Sequence, residues 1–161
     1  MKKYSNYEFL NIVSPILENI EFEKLKNVDH HGITRYEHCL RVSYYTYIIT
    51  KYLGFNYEEA TIAALLHDFF TDEVCEDNGI QRLRKHPTYA VENAKKYFSL
   101  TLLQEDIIKT HMFPVTFLPP KYLESWIVDI VDDIAAIYER IFSIQKEIKA
   151  ALIFLFVLLF H

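Results

Sequence analysis

Apolar positions between residues 36 and 53 fall on two stripes. Leu40, Tyr44, Tyr47 and Ile48 lie on one, and Val42, Tyr45, Ile49 and Tyr52 on the other, at the three- and four-residue steps of a helix. Gly54 supplies the stop. A helix apolar on two sides is expected at the centre of a fold. Residues 57–70 predict the next helix, with Asn56 as its cap. In it Ala60, Ala63, Ala64 and His67 share one small-residue face that would let another helix come close. Upstream, residues 5–27 read as one or two opening helices, with Pro15 marking the start of the second, and Asp29, His30, His31 and Gly32 as a loop. Downstream, the polar stretch Thr71 to Lys85, which contains Gly79, predicts a surface loop. Pro87 then suits the first turn of a helix running to about Phe98. Thr101 with Gln104 reads as a capping box for a helix ending near His111, before Pro114. After Pro119 and Pro120, a long helix is expected from about Tyr122 to about Lys149.

The last apolar run, Ala150 to Phe160, has eleven residues. As a helix it spans roughly 16 Å, about half of a ~30 Å hydrocarbon core, so a single membrane crossing is not expected. A terminal helix buried on its own domain or in a dimer is the first expectation, and interfacial membrane contact the alternative.

Composition narrows the class. The chain has 161 residues, 51% apolar and 16% aromatic, with only 3 glycines and 5 prolines. So few turn-formers do not suit an all-β fold. The expectation is an all-α protein, a single compact bundle of about six to seven helices spanning residues 1–161. A net charge of −5 argues against binding duplex nucleic acid through a basic face, yet leaves room for a small anionic substrate held by metals. Cys39 and Cys75 offer no disulfide framework and read as reduced thiols. Residues Met1 to Leu10 lack the apolar stretch of a signal peptide, so a cytoplasmic protein is expected.

Candidate chemistry comes from the histidines. Of the 7 present, His38, His67, His86 and His111 occupy helix positions next to the predicted core. His67 is followed by Asp68 in Leu65-Leu66-His67-Asp68-Phe69. Two adjacent polar groups at a buried helix end are costly unless something compensates them. A divalent cation does so, since imidazole and carboxylate both ligate iron, manganese, zinc or nickel. A lone histidine on an apolar face is more often a hydrogen-bonded core residue, and a His-Asp pair recurs by chance. The order carries more: His38, His67-Asp68, His86, His111 and an aspartate in Val131-Asp132-Asp133 lie on or beside separate predicted helices, as convergence on one buried point requires.

In this order the sequence resembles the HD superfamily of metal-dependent phosphohydrolases, whose signature is H…HD…D on a helical bundle. Arg35-Tyr36-Glu37-His38 is similar to the family's first-histidine segment, Leu66-His67-Asp68-Phe69 to its central motif, and Ile130-Val131-Asp132 to its terminal aspartate. His86 and His111 resemble the subset that binds two metals, which includes symmetrical diadenosine tetraphosphatases and cyclic-dinucleotide phosphodiesterases. The resemblance covers about residues 30–140 and implies that His38, His67, Asp68 and Asp132 hold a first metal. Asp68 would bridge to a second, held also by His86 and His111. Asp129 and Asp133 rival Asp132, which the family pattern favours. The cofactors implied are two divalent ions, iron or manganese first, zinc or nickel as alternatives. Asp68 is thereby a catalytic residue, a bridging ligand positioning a nucleophilic hydroxide that two cations about 3.5–4 Å apart can hold at neutral pH. Glu37 or Asp72 would accept from the histidine N–H groups.

One position departs from the family. Many relatives carry a lysine three residues after the central aspartate, where this chain has Thr71, leaving Arg35, Arg82, Arg84 and Lys85 as candidates for phosphate contact. The implied substrate is a phosphate ester or anhydride of a nucleotide or related small molecule. A metal- and nucleotide-binding sensor without catalysis is the alternative, as is a protein associated with membranes through its tail. A homodimer stays open.

Overall fold

Two asparagines set the entry of the chain. The Asn6 side chain accepts from Phe9 N–H and opens α1, Tyr7–Leu17. Asn19 accepts from the N–H groups of Glu21 and Phe22 and opens α2, Ile20–Glu23. This computed structural model describes residues 4–30, 32–71 and 79–160, with side chains as far as residue 153. Pro15 lies inside α1 and does not open a second helix. Its ring removes one backbone donor, and the Ser14 hydroxyl reaches the Asn11 carbonyl left without that donor, at 3.5 Å. A short 3-10 turn, Lys24–Asn27, leads into a small antiparallel hairpin where a loop was expected. Its strands are β1, Asp29–His30, and β2, Ile33–Thr34. Gly32 takes φ +85° beside the turn, and a Cβ there would meet Ser143 Oγ at 2.5 Å. Glycine thus lets the hairpin sit against the last helix.

Thr34 and Glu37 form a capping box that starts α3, Arg35–Leu53, and Gly54 ends it in the left-handed conformation. Asn56 caps α4, Tyr57–Leu66. The remaining helices are α5, Gly79–Tyr97, α6, Leu102–Thr110, and α7, Leu123–Phe160. The Thr101–Gln104 capping box forms as the sequence predicts. The chain is therefore an all-α bundle of seven helices among the described residues.

Four expectations change. First, α5 begins at Gly79, two turns before Pro87, so the surface loop expected up to Lys85 is partly helix. Gln81, Arg82, Leu83, Arg84 and Lys85 are all strong helix formers, and polarity alone did not mark them as loop. Second, the central helix is α4 and not α3. Six of its residues are buried, Ala60, Ala63 and Ala64 completely, and it packs on α1, α3, α5, α6 and α7. The second stripe of α3 is open beyond the buried Val42, with Tyr45 at 41% and Tyr52 at 88% exposure. Third, α7 runs unbroken from Leu123 through the apolar terminal segment, 38 residues in all. Fourth, Leu152 and Ile153 are exposed, so this part of the tail is not buried on its own domain. No helix among the described residues is long and apolar enough to cross a membrane.

Candidate metal centre

Three helices and two helix ends bring the six predicted residues together. His38 projects from the first turns of α3, His67 and Asp68 follow the end of α4, His86 sits midway along α5, His111 ends α6, and Asp132 lies on α7. None of the six is more than 8% exposed. Burial of so many polar groups demands partners, and the hydrogen bonds show which atoms have them. Nδ1 of His67 faces the Ala64 carbonyl at 2.7 Å, that of His86 the Arg82 carbonyl at 3.3 Å, and that of His111 the Ile108 carbonyl at 2.8 Å. A carbonyl only accepts, so in each ring Nδ1 carries a proton. In His86 and His111 Nε2 then presents a lone pair, whereas in His67 burial opposes the charge but Asp132, facing Nε2, raises the imidazole above its ordinary value.

Those lone pairs point at one another. Nε2 of His86 and Nε2 of His111 lie 2.9 Å apart, with Asp68 Oδ1 at 3.3 and 3.7 Å from them. On the other side Asp132 Oδ1 lies 2.8 Å from His38 Nε2 and 3.3 Å from His67 Nε2. The buried atoms His67 Nε2 and Asp68 Oδ1 make no well-formed hydrogen bond to any described residue. The facing acceptors of His86, His111 and Asp68 suit a cation, and the set of imidazoles and carboxylates fits a divalent metal. The ligand atoms of His38, His67 and Asp68, of His67, His111 and Asp132, and of Asp68, His86 and His111 each lie within 4.8 Å of one another. Asp68 belongs to the first and third of these groups, in the middle of the cluster.

Electrostatics sharpen the picture. Burial pushes His111 down to about 3, with His67 and His86 adding to it, and burial also lowers His86. Both rings are neutral at pH 7. Burial alone would raise the Asp68 carboxyl, but the surrounding imidazoles, His86 first, and the Arg35 guanidinium hold it below the usual carboxylate range. Asp132 is held low by His67 and His38 against the same desolvation. His38 differs. Burial opposes its charge, yet hydrogen bonds to Asp132 and Glu139 raise it to about 10.

Of the three rival aspartates, only Asp132 enters the cluster. Asp129 is buried beside the Phe113 backbone, and its carboxyl rises to about 7 through burial and the nearby Asp133 and Asp132. Asp133 is exposed. Two contributors were missed in the sequence. Glu139, seven residues after Asp132 on the same face of α7, is 2% exposed and holds His38 Nδ1 at 2.9 Å while pairing with Arg41. Spacing along one helix was the available signal. His30, on the hairpin, stacks on the His38 ring at 4.1 Å and reaches within 4.0 Å of Asp68 Oδ2; no local pattern marks it. Glu37 does not serve the histidines, because its carboxylate binds Thr34 N–H and hydroxyl in the capping box. Asp72 and Cys75 lie outside the described residues. Cys39 is fully buried, and that burial pushes its thiol well up, which makes it inert.

The basic candidates separate. Arg35 is 4% exposed, donates to the Phe70 carbonyl at 2.7 Å and places Nε 3.8 Å from Asp68 Oδ2. Arg82 is half-buried one turn before His86, with its guanidinium 6.0 Å from the Phe70 ring. Arg84 projects from the opposite side of α5 and lies over Phe117 at 5.3 Å, and Lys85 is exposed.

Fold and site together define a helical bundle built around a buried histidine-carboxylate cluster able to hold divalent metal. The HD domain family model matches residues 35–137, and the chain belongs to that family. Comparison with curated proteins and with solved structures gave no match.

Proposed function

We propose that this HD domain is a phosphohydrolase that holds two divalent cations and cleaves a phosphate ester or anhydride of a nucleotide or related small molecule. The observation that carries the reading is the pair of facing Nε2 lone pairs on His86 and His111, with Asp68 Oδ1 beside them. Two buried acceptors at that separation repel each other unless a cation lies between their charge clouds. His38, His67, Asp68 and Asp132 would hold the first ion, and Asp68, His86 and His111 the second. Iron or manganese would suit this set, with zinc or nickel as alternatives. Such a pair, when bound, supplies an activated water and stabilises the charge that develops on phosphoryl oxygens.

The chain's own groups do the positioning. Carbonyls of Ala64, Arg82 and Ile108 fix three imidazoles by their Nδ1 protons, and Glu139 fixes the fourth. Arg35 orients the Asp68 carboxylate, which leaves Arg82 as the better candidate for a substrate phosphate in place of the lysine that Thr71 replaces. Protein purified without added metal is expected to carry iron or manganese by elemental analysis and to hydrolyse bis(p-nitrophenyl) phosphate or diadenosine tetraphosphate. Metal-loaded protein that binds nucleotides but turns over neither substrate would instead be the sensor.

His38 gives a second test. In the metal-free state its imidazole is protonated at neutral pH, since its value is about 10. A cation taking Nε2 must displace that proton, and His67, also raised by Asp132, can add to it, so binding at pH 7 is expected to release at least one proton per chain, with apparent affinity rising as pH rises. The sign for stability is opposite. The contribution of charged His38 to the metal-free fold is complete below about pH 6.5 and is lost as pH rises through about 10. Titration calorimetry in two buffers of different ionisation enthalpy reads the proton, and equal heats in both would remove His38 from the ligand set.

A further inference from the structure

We propose that two copies of this chain pair antiparallel through the outward face of α7, with Arg140 of each copy set against Glu147 of the other. The helix has two faces with different work. Ser125, Asp132 and Glu139, spaced by sevens, are all buried and face the chain's own domain. Opposite them runs a row of isoleucines from Ile127 to Ile148 at steps of 3, 4, 3, 4, 3 and 4 residues. Six of these, Ile130, Ile134, Ile137, Ile141, Ile144 and Ile148, are 47–62% exposed. The row keeps a 3.5-residue period over about 27 Å of helix, which is the repeat of a left-handed coiled coil. A helix that only covers a globular core follows the broader 3.6 period. The sequence continues the same spacing at Ala151, Leu155 and Leu158. An exposed seam of this length on a monomer calls for a partner, and a seam without a charge or an amide matches another copy of itself.

Charge beside the seam chooses the alignment. The flanking charged positions are Asp133, Arg140 and Glu147. In a parallel pair Asp133 would meet Tyr138 and Arg140 would meet Gln145, with no charge satisfied. An antiparallel pair centred between residues 142 and 143 sets Arg140 against Glu147 twice by symmetry. The same register stacks Ile141 on Ile144, Ile137 on Ile148 and Ile134 on Ala151, and puts Val131 beside Leu152. Shifting the axis by half a heptad to residue 139 would oppose Arg140 to Arg140. A cavity of about 350 Å³ between α3 and α7 continues the seam, lined by Tyr45, Ile49, Val131, Ile134 and Tyr138 among others. The far half of the second copy's α7 would run beside it, which accounts for the exposure of Leu152 and Ile153.

Sedimentation velocity at 5 and 50 µM tests the pairing, with full-length protein in metal-containing buffer. Wild type is expected to sediment as a dimer, and Ile137→Asp with Ile141→Asp as a monomer of unchanged helix and metal content. Both positions are exposed, so folding is not at risk. Arg140→Glu should weaken the dimer at least tenfold, and Arg140→Glu combined with Glu147→Arg should restore it. A wild-type monomer at 50 µM, a trimer or tetramer, or failure of the double swap to restore pairing would each overturn the proposal. So would a monomer that pellets with anionic phosphatidylserine vesicles, which would give the seam to a membrane.

Discussion

Asp68→Asn is expected to abolish turnover, by more than about 10³-fold, and to reduce bound metal below one ion per chain. Asparagine has the same shape but no charge, so the change tests charge and not packing. Asp68 sits between the two halves of the cluster, with Oδ1 on His86 and His111 and Oδ2 toward Arg35 and His30. Losing a partner that only orients a ligand already costs about 10–100-fold in metal affinity or activity. Losing a shared ligand would act on both proposed ions at once, and a neutral amide also removes the Asp68 charge beside the Arg35 guanidinium. Elemental analysis and a phosphodiesterase assay check the outcome. Full metal content with full activity in the variant would place the reaction elsewhere.

His86→Ala should separate the two proposed ions. It touches only the group formed with Asp68 and His111, and leaves His38, His67 and Asp132 in place. Metal content is expected to fall from about two ions per chain to about one, with helical content unchanged. The stabilisation gained on adding metal should shrink accordingly, because a ligand stabilises only the state that binds it. In the metal-free protein the substitution also removes one of two lone pairs 2.9 Å apart, which offsets part of the cavity it leaves. A variant that keeps two ions per chain would assign the second site to other residues.

Much of the fold was legible because it rests on local signals. The Thr101–Gln104 box, the Asn56 cap and the Gly54 stop each involve residues three or four apart, and each forms as read. Signals failed where a local rule was weaker than its surroundings. Pro15 and Pro87 suggested helix starts, yet both lie within helices, where each removes one backbone donor without ending the helix. The alanines of α4 pointed to close packing, but not to a helix that packs on five others. That position depends on which neighbours arrive.

The sequence by itself determined the helical class, the order of six ligand-type residues and the family they indicate, because periodicity and side-chain chemistry are written along the chain. Only the tertiary structure decided that Asp132 enters the cluster while Asp129 and Asp133 do not, and that Glu139 and His30 join from residues 101 and 8 positions away from His38. Spacing along α7 puts Glu139 on the face of Asp132, but which residue that face meets follows from packing between helices, and the chain does not record it.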